Sequence, residues 1–259
     1  MKIVFIGSGN VATHMAIALK KAGNEIVQIF SRKDVNAKFL AKIVAAEPVS
    51  ILNNLNREAD LYIFSLNDDT LPNIIKMMPD TSGIWAHTAG SIPMNLFDKR
   101  LNKGGYGVIY PLQTISKERK LDFSKISLFI EGDISDTENI LLDLARTISD
   151  DVKLLDSESR KYLHLSAVFA NNFSNHMFTL SNEILSERGI TFDVLKPLIT
   201  ETVAKVLEME PIKAQTGPAI RLDEKVINKH LELIKDDKIK EIYTILSKSI
   251  NRYSTKNSN

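Results

Sequence analysis

The stretch "VFIGSGNVA", residues 4–12, decides how the rest of the chain is read. A β-branched and aromatic run stops at Gly7, Gly9 follows two residues later, and Asn10, Val11 and Ala12 lead into a helical pattern. This matches the dinucleotide-binding form G-x-G-x-x-A. In that form Gly7 permits a tight turn, Gly9 lets a pyrophosphate approach the backbone, and Ala12 allows close helix–strand packing. The free N–H groups at the helix start then face the phosphates. Gly7, Ser8, Gly9, Asn10 and Val11 are the expected cradle. A bare strand–turn–helix serving some other ligand has the same local pattern, so the surroundings must decide.

Around it the chain alternates. "KIVFIG" (2–7), "EIVQIF" (25–30), "LYIFSL" (61–66), "GIWAHTA" (83–89), "YGVIYP" (106–111) and "ISLFIEG" (126–132) read as short strands. Helical patterns such as "NAKFLAKIVAA" (36–46) lie between them. Alternation of this kind predicts an α/β fold with a mainly parallel sheet covered on both faces. From Ser157 onward long helical patterns take over, at about 157–188, 192–208, 223–235 and 237–251. The expected organisation is a nucleotide-binding domain at 1–150 and a second, all-helical domain at 151–259.

Composition narrows the function classes. The chain has 259 residues, 44% hydrophobic and 25% charged, as in an average globular protein. A net charge of +1 supplies no field for gripping a phosphodiester backbone, which argues against a nucleic-acid partner. There is no cysteine, so disulfides and thiolate metal sites are excluded, and a reducing cytoplasm is the expected location. Lys2 and the apolar stretch after it imitate a secretory signal, but Gly7, Ser8, Gly9, Asn10, Thr13 and His14 interrupt it. No run of about 18 uncharged apolar residues is available for a membrane span.

The end of the second strand bears on cofactor choice. An NAD site places Asp or Glu about 20 residues beyond the glycines, to bind the ribose hydroxyls. Here Ser31, Arg32 and Lys33 stand instead, a hydroxyl and two cations suited to a 2′-phosphate, which favours NADP. Asp34 is read as the cap of the next helix, and solvated loop charges are the alternative reading of Arg32 and Lys33. Ligands in such sheets sit beyond the carboxyl ends of the strands. Ser65, Leu66 and Asn67 therefore join the expected cofactor crevice, as do His87 and Thr88. Ala89, Gly90 and Ser91 are small groups suited to a substrate close to the backbone. Asp68 and Asp69 are read as helix capping, not as metal ligands. No histidine has metal-ligand spacing, and no metal is expected.

The motifs "IGSGNVA", "FSRK", "HTAGSIP", "YPLQTIS", "LHLSAVFANNFSNHM" and "QTGPAIRLD" together resemble a bacterial family of Rossmann-like NADP oxidoreductases with a C-terminal helical domain of unknown function. The resemblance covers nearly the whole chain. That family is similar to the pyrroline-5-carboxylate reductases, ketopantoate reductases and β-hydroxyacid dehydrogenases. The resemblance implies a Rossmann domain, a helical domain that commonly dimerises, and hydride transfer in the cleft between them. In the hydroxyacid dehydrogenases a Lys proton donor and an Asn lie one turn apart on the first long helix of the second domain. Here Leu165 follows Lys161 by four and Val168 follows His164 by four, so that pair is absent.

Helical geometry offers a substitute. At about 100° per residue, Asn171 and Asn175 fall within roughly 20° of His164, and Asn172 lies about 80° round. An imidazole titrates near neutrality and can protonate a developing alkoxide or amide, while carboxamides can orient a carbonyl or imine. By family resemblance Asn172 is as good a candidate as Asn171. The alternative is that these groups satisfy one another at a buried interface. Gln113 in "YPLQTIS" and Arg221 in "QTGPAIRLD" are further candidate substrate contacts, Arg221 as a carboxylate clamp or as a partner of Asp223. The reading is an NADP-dependent oxidoreductase acting on a small C=O or C=N compound. Wide apolar faces at 157–188 and 192–208 predict a homodimer through the helical domain. The alternative is a catalytically silent NADP-binding module that signals or scaffolds through that domain.

Overall fold

The computed structural model describes residues 1–99 and 104–256. The chain divides into two compact units, Met1–Asn171 and Asn172–Asn259. In the first, eight strands form one sheet: β1 Lys2–Ile6, β2 Glu25–Phe30, β3 Glu47–Val49, β4 Leu61–Phe64, β5 Ile84–His87, β6 Tyr106–Pro111, β7 Leu128–Gly132 and β8 Val152–Leu154. Their spatial order is β3-β2-β1-β4-β5-β6-β7-β8. Every pairing is parallel except β6 with β7, where Gly107 faces Gly132 and Pro111 faces Leu128. The crossovers carry α1 Asn10–Lys21, α2 Asp34–Val44 and α3 Leu71–Met77, and α4 Ser135–Arg146 joins β7 to β8.

β1 explains why the sheet is covered on both faces. Ile3, Val4, Phe5 and Ile6 are all fully buried. Side chains alternate along a strand, so Ile3 and Phe5 pack with Leu61, Ile63 and Ala86 under α1, α2 and α4. Val4 and Ile6 pack on the other face with Tyr62, Phe64, Trp85, Leu71 and Phe97. A strand apolar at every position fits only a sheet buried on both sides.

Element ends differ from the sequence expectation in small ways. β5 stops at His87, two residues early, because the chain turns there. Asp34 does not cap α2: Lys33 holds the cap position without a side-chain bond, and Asp34 pairs with Lys38 at 2.6 Å. Asp68 and Asp69 do not cap α3, whose cap residue is Thr70.

The helix expected at 157–188 is three segments. α5 Ser157–Ala167 is followed by a π-helical stretch, Val168–Phe173, and then by α6 Ser174–Ser186. A π-helix bonds i to i+5 and turns less per residue, so α-helical angles reckoned from His164 do not carry through to Asn171, Asn172 or Asn175. The division between units falls inside this stretch, not near residue 150, because α5 packs against the sheet unit. The second unit adds α7 Lys196–Glu208, α8 Pro211–Ala214, α9 Glu224–Leu233 and α10 Asp237–Lys256. Among the described residues no helix is long and apolar enough to cross a membrane.

Candidate active site

Gly7 takes φ +125°, and a Cβ there would meet the Ser65 carbonyl oxygen at 2.1 Å. Only glycine fits between the ends of β1 and β4. Its N–H donates to the Phe30 carbonyl at 2.9 Å, which ties the turn to the end of β2. At Gly9 the space is open: a Cβ would meet nothing within 4 Å. The Gly9 carbonyl accepts from the Thr13 N–H at 2.9 Å and from the Thr13 hydroxyl at 2.8 Å. The first-turn N–H groups of Asn10, Val11 and Ala12 have no carbonyl before them in the helix, so the positive end of α1 faces that open space.

In front of the turn lies a cleft of about 590 Å³. It is lined by Gly7, Ser8 and Gly9, by Ser31, Arg32 and Lys33, and by Ser65, Leu66 and Asn67, with Asn36 and Thr70 added. Arg32 and Lys33 are exposed, and among the described residues neither is in an ion pair, whereas Asp34 is neutralised by Lys38. An open helix N-terminus, an unfilled space at Gly9 and two free cations at the far rim fit a dinucleotide carrying several phosphates. The Asn10 side-chain amide donates to the Ile115 carbonyl at 2.7 Å. Together with His14, whose Nε2 lies 3.0 Å from the Ser116 carbonyl, it pins the loop after β6 to α1.

The turn after β5 is held by backbone and side chains together. The Thr88 N–H donates to the Phe64 carbonyl at 3.1 Å, and the Ser91 hydroxyl donates to the Asp68 carboxylate, linking this turn to the one after β4. His87 is fully buried. Alternation puts it on the same face as Trp85, where its ring packs 5.6 Å from Phe97. Burial, and then the Arg160 charge, hold its pKa down to about 3. It is neutral at physiological pH, and its Nδ1 accepts from the Ala89 N–H at 3.2 Å. The expectation that its side chain lines the crevice overlooked strand parity.

Arg160, in the first turn of α5, is also fully buried. Its guanidinium is ion-paired with Glu131 of β7 and donates to the Ile92 carbonyl at 2.7 Å and the Ser157 hydroxyl at 3.1 Å. Glu131 accepts in turn from the Ser157 N–H at 3.0 Å. This network fixes the start of α5 on the sheet. One turn later His164, half-buried, meets Tyr110 of β6, with Oη 3.0 Å from Nδ1 and the rings edge to face. A Cβ on Gly90 would lie 2.6 Å from His164 Nδ1 and 2.9 Å from Tyr110 Cε2. The pair therefore rests directly on the backbone of the turn after β5.

Other expected residues are placed differently. Asn171 ends the first unit, Asn172 and Asn175 lie in the second, and all three are exposed. Gln113 is exposed and accepts from the Thr114 N–H at 2.8 Å. Arg221 is exposed in the helical unit, while Asp223 caps α9 by accepting from the Val226 N–H at 3.3 Å. Tyr110, Arg160 and Glu131 were not read from the sequence. Tyr110 stands in the quoted motif "YPLQTIS", so a hydroxyl-bearing aromatic at a strand end was the available signal.

The comparisons agree with this geometry. Residues 2–85 match the family model described as NADP oxidoreductase coenzyme F420-dependent. Residues 126–250 match a domain of unknown function, DUF2520. No protein of curated function matches the chain. A Bacteroides fragilis protein described as a "putative NADP oxidoreductase" is 46% identical, with 97% of this chain and 98% of that one covered and a TM-score of 0.89. An imine reductase from Myxococcus stipitatus in complex with NADP+ shares the fold at 13% identity, with 99% and 93% covered and a TM-score of 0.67. So does a 1-pyrroline-5-carboxylate reductase from Streptococcus pyogenes, at 15% identity, 98% of each chain and a TM-score of 0.62. Near-complete coverage at 46% identity, the glycine cleft and the two matching models place this chain in the family of Rossmann-type NADP oxidoreductases that carry a helical C-terminal domain of unknown function.

Proposed function

We propose that the chain prefers NADP(H) to NAD(H) and transfers a hydride between it and a small C=O or C=N compound, with His164 as the proton donor. The observation that carries this reading is the Tyr110–His164 pair seated on Gly90, at the same strand edge of the sheet as the glycine cleft. A nicotinamide held in that cleft supplies or accepts the hydride. The cleft's Gly9 end takes the pyrophosphate, and Arg32 and Lys33 take the 2′-phosphate. Past Arg32 a hollow of about 670 Å³ lined by Ile51, Leu52, Asn53, Asn73 and Met77 offers room for a flat base. His164 fills the chemical role left vacant by the missing Lys–Asn pair, and Ala89, Gly90 and Ser91 hold the substrate close to the backbone.

Cofactor preference is the direct test. NADPH is expected to bind at least about tenfold tighter than NADH, on the order of 1.4 kcal/mol, a modest demand on charge-assisted bonds. Arg32→Ala removes most of that gap, and added salt narrows it. Equal affinities in the wild type, measured by fluorescence titration, reject the NADP assignment. Oxidation of NADPH with a panel of keto acids and imino acids then defines the substrate.

The reading includes a homodimer through the helical unit. In that unit only Ala219 and Ser247 are buried among the described residues, while Leu198, Leu207, Leu233 and Ile245 are exposed. A helical unit with so little interior of its own gains a core by packing against a second copy. Light scattering at micromolar concentration is expected to give a dimer, and a monomer rejects it. A cytoplasmic location belongs to the same reading and rests on a sequence with no cysteine.

A further inference from the structure

The Tyr110 phenol is buried, and its one hydrogen-bond partner among the described residues is His164 Nδ1. Burial raises its pKa, with the Arg160 charge opposing, so the hydroxyl keeps its proton. A phenol has a single O–H to donate. Were it only to accept from an Nδ1–H, that buried proton would be left without an acceptor, an arrangement folded proteins avoid. Donation from Oη to Nδ1 satisfies both groups at once. It also leaves the neutral imidazole only one place for its own proton, Nε2.

We propose that Tyr110 is the positioning residue for His164: its O–H donates to Nδ1 and fixes the Nε2–H tautomer of the resting neutral ring, making Nε2 the nitrogen that faces the reacting atom. This rests on the proposed role of His164 as proton donor. For the transfer itself the ring first takes a proton from solvent, and the imidazolium returns to neutral when Nε2 gives one up. The geometry supplies three constraints on the ring. Arg160, bonded to Glu131, Ile92 and Ser157, sets where α5 begins on the sheet. Tyr110 sets the rotation of the imidazole at 3.0 Å. Gly90 lets both rings come down onto the turn backbone, because a Cβ there would clash with both, 2.6 Å from His164 Nδ1 and 2.9 Å from Tyr110 Cε2. Which nitrogen of a histidine carries the proton is set by the bond the other makes. A second pair of the same chemistry, His230 Nδ1 and Tyr243 Oη at 2.8 Å in the helical unit, is exposed and provides an internal control.

Nitrogen-15 spectra of imidazole-labelled protein at about pH 8, where a free imidazole is neutral, test this without a substrate. The His164 signals are assigned by their loss in His164→Gln. The expected wild-type pattern is an unprotonated Nδ1 and a protonated Nε2. In Tyr110→Phe, which keeps the ring and removes the hydroxyl, the two shifts are expected to move towards each other as the preference is lost, with the other four histidines unchanged. Tyr243→Phe is expected to move His230 alone. Gly90→Ala, whose Cβ would crowd Nδ1 at 2.6 Å, is expected to reproduce the Tyr110→Phe pattern and serves if that variant does not fold. A proton on Nδ1 in the wild type, or His164 shifts that stay put in Tyr110→Phe, overturns the proposal. Activity separates it from the reading beneath it. If His164→Gln turns over normally while Tyr110→Phe shifts the tautomer, the proton-donor role falls and the positioning stands. If His164→Gln is inactive and Tyr110→Phe leaves the tautomer unmoved, the reverse holds.

Discussion

Turnover by His164→Ala is expected to fall about 10²–10⁴-fold, the range for losing a general acid, while NADPH affinity stays at the wild-type value. The separation follows from placement. His164 sits on α5 against β6 and the turn after β5, whereas the glycine cleft is bounded by the ends of β1, β2 and β4. Alanine also leaves the buried Tyr110 phenol without its partner, a cost of about 1–3 kcal/mol in stability. His164→Gln, whose amide can still meet that phenol, is expected to recover much of the melting temperature and none of the turnover. A purely structural His164 gives the opposite result: glutamine restores activity along with stability. Normal turnover by His164→Ala would send the search to Lys161, paired with Glu158 at 2.6 Å, or to a bound water. His87 does not enter it, because a fully buried imidazole with a pKa of about 3 does not become the imidazolium near neutrality, and its ring packs against Phe97.

The fold was legible because two signals agreed over a long stretch. Strand–helix alternation to about residue 150 and the glycine turn at Gly7 each imply a parallel sheet, and β1, buried at every apolar position, satisfies both. The cleft was legible for the same reason, since Ser31–Lys33 and Ser65–Asn67 follow strands whose ends must adjoin Gly7 in this topology. The chemistry was less so. His164 was found by its residue type. Its partner Tyr110 is 54 residues away on β6, and nothing local announces that contact. Reckoning Asn171 and Asn175 at α-helical pitch failed at Val168–Phe173, where the π-helical turn changes the phase. Side-chain periodicity assumes one pitch, and a π-segment leaves no pattern in apolar spacing that reveals it. Arg160 was invisible for another reason: a charged residue in the first turn of a helix reads as solvated, and only the sheet shows Glu131 waiting for it.

That buried pair carries the largest expected effect on stability. Arg160→Met is expected to cost about 3–5 kcal/mol in urea unfolding, as does Glu131→Gln, because each leaves a desolvated partner behind. Arg160 has 1% of its side chain exposed and Glu131 14%, so neither orphan can turn to water without moving α5. The double variant is expected to lose much less than the sum of the two, since a well-packed replacement of both charges restores a consistent interior. Lysine at 160 does not substitute: one ammonium cannot reach the Glu131 carboxylate, the Ile92 carbonyl and the Ser157 hydroxyl in the spread that the planar guanidinium spans. The consequence passes to function through distance along the helix. His164 stands one turn after Arg160, so loosening the start of α5 disturbs the 3.0 Å contact with Tyr110 before it disturbs the glycine cleft. Arg160→Met is therefore expected to lose turnover in parallel with His164→Gln and to retain NADPH binding below its own melting temperature. A variant that loses less than about 0.5 kcal/mol would show that α5 is held by its other contacts.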